Sequence, residues 1–135
     1  MSGAAVAAQS LDTSGLLTTI LTAVKIFEHI PAAARAVGYL RDTIKNFQQR
    51  KTPEIPDESL LGRLIKSEQD RLKRLIEEYN RLNDQDEFSE LDREKERRRI
   101  AKQLCKLFGT IEEVMKKYIE HFEDLQKFFC NYARA

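Results

Sequence analysis

Tryptophan is absent, and 135 residues hold only three prolines, five glycines, two cysteines and two histidines. So few turn formers, beside abundant Leu, Ile, Glu, Lys and Arg, point to long helices. His29 and His121 are far apart in sequence, and no Cys or His pair sits at metal-ligand spacing. A di-iron bundle needs Glu-x-x-His, but the residues three before the histidines are Ile26 and Tyr118. Glu120, Glu123 and Asp124 flank His121 but diverge around a helix, which reads as a solvated face. No Gly-rich phosphate loop, nucleophile elbow or papain-like context occurs. The chain is therefore read as non-enzymatic, with no cofactor, no metal and no small-molecule substrate.

Excess charge of one sign is also lacking. The formal net charge is +1, so no global field draws nucleic acid or membrane, and any such claim must rest on a local patch. Met1 to Gln9 carry no Lys or Arg and too weak an apolar core for a secretory signal. The uncharged stretch from Thr13 to Val24 is too short to span a bilayer as a helix. Cys105 and Cys130 fall on what reads as one helix. Twenty-five helical residues separate them by about 37 Å, whereas a disulfide needs less than about 7 Å between Cα atoms. Free thiols and a cytoplasmic location follow as the expectation, with peripheral attachment to a membrane as the alternative.

Hydrophobic residues make up 41% and charged residues 33%, a balance that fits one folded domain. Residues 1–11 are expected to form a mobile tail, and residues 12–135 a single helical domain. Its first helix, about 14–30, carries a stripe of Leu17, Ile20, Leu21, Val24 and Phe27. Pro31 bends the path and can open a second helix, about 31–51, with the stripe Ile30, Ala33, Val37, Leu40, Ile44 and Phe47. Pro53 and Pro56 mark a linker, after which Asp57 caps a third helix, about 57–83. Leu61, Ile65, Glu68, Leu72, Leu75, Tyr79 and Leu82 alternate steps of four and three, a heptad seam with one polar member. Glu68 either snorkels to the edge or is a buried charge that sets register.

After a polar loop at 83–88, Ser89 and Asp92 resemble a capping box. Gly109-Thr110 reads locally as a helix end. Yet Ala101, Leu104, Phe108, Ile111, Met115, Tyr118, Phe122, Leu125, Phe129 and Tyr132 keep phase throughout. A mid-helix Gly costs only about 1 kcal/mol, so the pattern predicts one helix over 89–133, roughly 65 Å long. The fold expected is all-α, an antiparallel four-helix-bundle-like body with a long C-terminal helix.

Three features could carry function. Between Arg93 and Lys106 seven basic residues face only Glu94 and Glu96. Arg97, Arg98, Arg99 and Lys102, with Arg71 and Arg74 of the third helix, form a candidate patch for an anionic ligand; the alternative is a solvated face with helix-stabilising pairs. The missing aromatics in this run argue against nucleic acid. Leu16, Leu17, Ile20, Leu21, Val24 and Phe27 form an uncharged first helix, either core or a segment that enters a membrane or a partner's groove. Phe122, Phe128, Phe129 and Tyr132 crowd the C-terminus, either as core or as an interface. These features point to an adaptor or regulatory module acting through a protein partner or self-association. The alternative is a membrane-active domain that binds anionic lipid through the basic patch and inserts its first helix.

Overall fold

The computed structural model describes residues 10–11, 13–50, 55–56, 60–84 and 89–134. Most of the expected tail, the Asp57 cap and the loop centre at 85–88 lie outside the described residues. Among the described residues five helices make up the body: α1 (Thr13–Lys25), α2 (Pro31–Arg50), α3 (Leu60–Asn83), α4 (Glu90–Met115) and α5 (Phe122–Arg134). A two-residue antiparallel ladder joins β1 (Ser10–Leu11) to β2 (Ile55–Pro56), with Leu11 opposite Ile55. It ties the end of the expected tail to the expected linker and is too short to form a layer.

The helix α1 lies at the centre. Leu16, Leu17, Ile20, Val24 and Phe27 are completely buried, and Leu21 is half-buried. Between Gly15 and Val24 its polar side chains are threonines, which can return their hydroxyls to their own helix. Thr19 Oγ1 donates to the Gly15 carbonyl and Thr22 Oγ1 to the Thr18 carbonyl, each at 2.9 Å. Gln69 of α3 donates to Thr19 Oγ1 at 3.3 Å, so the buried hydroxyl is satisfied twice. The helix ends at Lys25, earlier than residue 30, because the chain then tightens into i→i+3 bonds such as Phe27 N–H to Val24 O, at 2.9 Å. Pro31 opens α2.

Ser89 starts α4 with a reciprocal capping box. The Ser89 hydroxyl accepts from the Asp92 N–H and the Asp92 carboxylate accepts from the Ser89 N–H, both at 3.3 Å. The helix α4 packs between α3 and α5, which is why it buries two stripes. Ala101, Leu104, Phe108 and Ile111 continue the expected seam, and Ile100, Gln103 and Leu107 add a second. Beside α3, Tyr79 meets Arg97 and Glu68 meets Thr110, so the two helices run in opposite directions. Glu68 is buried, with the Thr110 hydroxyl 3.0 Å from Oε2, while its carbonyl accepts from Gln103 Nε2 at 3.3 Å. It therefore does not snorkel.

The long C-terminal helix is not formed as expected. It passes through Gly109 without a break, where an added Cβ would meet nothing within 4 Å. It stops at Met115, and after a turn through His121, whose φ is 58°, α5 runs back along α4. Tyr118, placed on the seam, is 46% exposed, and Ile119 is buried in its stead at 2%. The seam kept its phase because Met115 and Phe122 are seven residues apart, two turns of a heptad. The reversal brings Phe122 to Phe108, with ring centroids 5.6 Å apart, and Phe129 to Phe27, 5.0 Å apart. It also brings Cys130 to Cys105. The two form a disulfide with a Cα–Cα distance of 5.0 Å, which overturns the expectation of free thiols. The separation of about 37 Å held only while the helix was unbroken. The argument for a reducing compartment lapses with it. Among the described residues no helix is long and apolar enough to cross a membrane.

Candidate anion-binding groove

The helices α3, α4 and α5 meet around a groove of about 860 Å³. Arg71 stands on α3 beside the buried Leu72. Arg99, Lys102 and Lys106 follow on α4 at steps of three and four, which places them along one side of the helix. Arg134 comes from the last turn of α5. All five cations are exposed, and among the described residues no carboxylate side chain lines the groove. Arg99 also bridges to Glu96 at 3.2 Å while its side chain stays 52% exposed. Leu75, Gln103, Ala133 and the Cys105–Cys130 disulfide supply the uncharged part of the lining.

Of the patch expected from sequence, Arg71, Arg99 and Lys102 share this groove. Arg98 lines an adjoining hollow with Lys95, Arg99 and Lys102. Arg74 lies farther along α3, where Glu77 and Glu78 accompany it. Arg97 does not belong to the surface. It is 7% exposed and turned inward, its guanidinium paired with Glu90 and donating to Glu94 Oε2 at 3.1 Å. Burial opposes its charge, but contacts with Glu90, Tyr79 and Glu94 outweigh this and hold the group above its ordinary range. Lys106 and Arg134 complete the groove and were not among the expected patch residues. Lys106 carried a signal, standing four residues after Lys102. Arg134 carried none, because only the reversal of α5 brings it near α4.

The aromatic C-terminus is core rather than an exposed cluster. Phe122 and Phe129 are buried, and Phe128 and Tyr132 are half-buried and packed against the core. The Tyr132 hydroxyl donates to the Glu94 carboxylate, with its oxygen 2.6 Å from Oε1. Burial and this bond push the Tyr132 phenol up to about 12. Burial would raise Glu94, but the Tyr132 and Arg97 hydrogen bonds hold its carboxyl below the usual range. A directional polar chain thus locks α5 to α4 above the groove. The rings of Phe128 and Phe129 meet edge to face, 4.9 Å between centroids, with Phe129 buried and Phe128 half-buried.

The candidate membrane segment is likewise internal. Burying each large apolar side chain is worth about 1.5–3 kcal/mol, so freeing Leu16, Leu17, Ile20 and Val24 of α1 together with Phe27 of the following turn costs roughly 10 kcal/mol. That rivals the whole stability of a typical domain, about 5–15 kcal/mol. His121 stacks on Tyr39 of α2, centroids 4.6 Å apart. Its ring nitrogens lie 3.6 Å from Glu120 and Asp124, beyond normal hydrogen-bond length.

No family model matches this chain, and it matches no curated protein and no solved structure.

Proposed function

We propose that this chain is a non-enzymatic helical binding module, adaptor or regulatory in kind, which associates with an anionic partner through the groove between α3, α4 and α5. One observation carries the reading: three helices deliver Arg71, Arg99, Lys102, Lys106 and Arg134 to one concavity whose lining, among the described residues, holds no carboxylate side chain. A chain of net charge +1 has no general surplus of cations to distribute. Concentrating five of them in a hollow raises the local potential and draws a counter-charge. The reading leaves α1 inside the body, since extracting it costs about as much as unfolding.

Retention on a cation-exchange resin at pH 7 tests the reading. The Arg71→Glu, Lys102→Glu pair is compared with Arg41→Glu, Lys45→Glu on the exposed face of α2. Both pairs change net charge equally. The groove pair should elute at clearly lower salt than the α2 pair. Coincident elution would show that the groove has no special affinity for anions.

A further inference from the structure

We infer that the groove binds a compact ligand carrying several phosphate groups on a non-aromatic scaffold. This deepens the proposed function and rests on the groove being an anion site. Its volume of about 860 Å³ falls within the span of small-ligand sites, about 300–1,000 Å³. Arg71, Arg99, Lys102, Lys106 and Arg134 carry +5, of which Glu96 offsets part at Arg99. A phosphate monoester carries about −1.5 to −2 at neutral pH, so about two or three of them match the groove. A peptide carries one charge per carboxylate. Five acidic residues in extended form spread over about 17 Å of chain, whereas the cations surround one hollow.

The donor types agree with this class. Guanidinium forks of Arg71, Arg99 and Arg134 suit paired hydrogen bonds to phosphate oxygens, and Lys102 and Lys106 add mobile point charges. The uncharged lining is Leu75, Gln103, Ala133 and the disulfide, with no aromatic ring among the described residues. A nucleobase would therefore find no stacking platform, which disfavours single-stranded nucleic acid. The cations arrive on three helices, so the geometry is preset by the core and little order must be gained on binding.

Calorimetric titration of the full chain with inorganic tripolyphosphate, near physiological salt, is the direct test. One saturable site is expected. The Arg71→Gln, Lys102→Gln pair should weaken binding by about tenfold or more, since two charged donors are lost. The Arg41→Gln, Lys45→Gln pair on α2 should stay within about twofold, as its charges are remote and screened. Circular dichroism confirms that both pairs are folded. Co-sedimentation then separates the sources of phosphate, using phosphatidylcholine vesicles with added phosphatidic acid or phosphatidylserine. Sedimentation with phosphatidic acid, reversed by tripolyphosphate, assigns a lipid headgroup. Tripolyphosphate binding without sedimentation assigns a free ligand. Either result supports the inference. It is overturned if tripolyphosphate gives no saturable signal, if the groove pair binds as the parent does, or if a glutamate-rich peptide binds more tightly. Should resin retention persist while tripolyphosphate fails, the anion groove stands and only the ligand class is wrong.

Discussion

Breaking the Cys105–Cys130 cross-link is the sharpest perturbation this fold allows. The bond closes a loop of 25 residues that contains the whole reversal from α4 to α5. In the chain-entropy description, a loop of that size restricts the unfolded ensemble by roughly 3.5 kcal/mol at 25 °C. The native state should lose little else. Phe122 and Phe129 remain buried, and Tyr132 remains bonded to Glu94 whether or not the sulfurs are joined. The double variant Cys105→Ser, Cys130→Ser, or the parent in reductant, should therefore keep its helicity and melt about 12 °C lower. Thermal unfolding followed at 222 nm reads the shift. Peptide mapping without reductant should recover the two cysteines in one cross-linked fragment within a single chain. The reasoning is refuted if mapping finds free thiols or a bond between chains. Equal melting temperatures with and without the bond would refute it as well.

Three further perturbations probe the same region. Gly109→Ala should stabilise by up to about 1 kcal/mol in denaturant unfolding, because the site is helical and open. His121→Gly should at least not destabilise, since it relieves a positive φ. In an unbroken helix the same change would cost about 1 kcal/mol, so the sign decides between the two structures. Tyr132→Phe should cost about 1 kcal/mol at neutral pH. Glu94 is held below its ordinary 4.5, so its contribution is complete above that value and lost as pH falls through the folded value. Tyr132 is raised from 10.0 to about 12, so its share is complete below 10.0 and lost as pH rises toward 12. The gap between parent and variant should be widest between these limits and narrow on both sides. A gap independent of pH would show that the bond contributes nothing.

Local physics was legible before any coordinates. Pro31 had to stand at a helix start, and it opens α2. Ser89 and Asp92 spelled a capping box, and both of its hydrogen bonds are present. Stripes such as Leu17, Ile20, Val24 and Phe27 identified buried faces correctly, because side chains three and four apart share one side of a helix. These outcomes depend only on neighbours a few residues away. Periodicity reports that a face is buried but is silent about what buries it. Hence Phe122, Phe129 and Tyr132 could equally have been an interface.

The reversal after Met115 belongs to the tertiary level. No Gly or Pro announces it, and the heptad count runs through it undisturbed. It exists because α5 buries Phe122, Leu125 and Phe129 by folding back onto α4 and α1, which a straight helix extending beyond its neighbours could not do. Everything distinctive follows from that one turn: the pairing of Cys105 with Cys130, the Tyr132–Glu94 bond, and the arrival of Arg134 beside Lys102 and Lys106. The inward turn of Arg97 has a tertiary part too: Glu90 and Glu94 of its own helix pair with it, and the Tyr79 hydroxyl of α3 meets it from across the helix pair. Amino-acid order settles which surfaces must be hidden. Only the meeting of distant segments settles which charges are left together in the open.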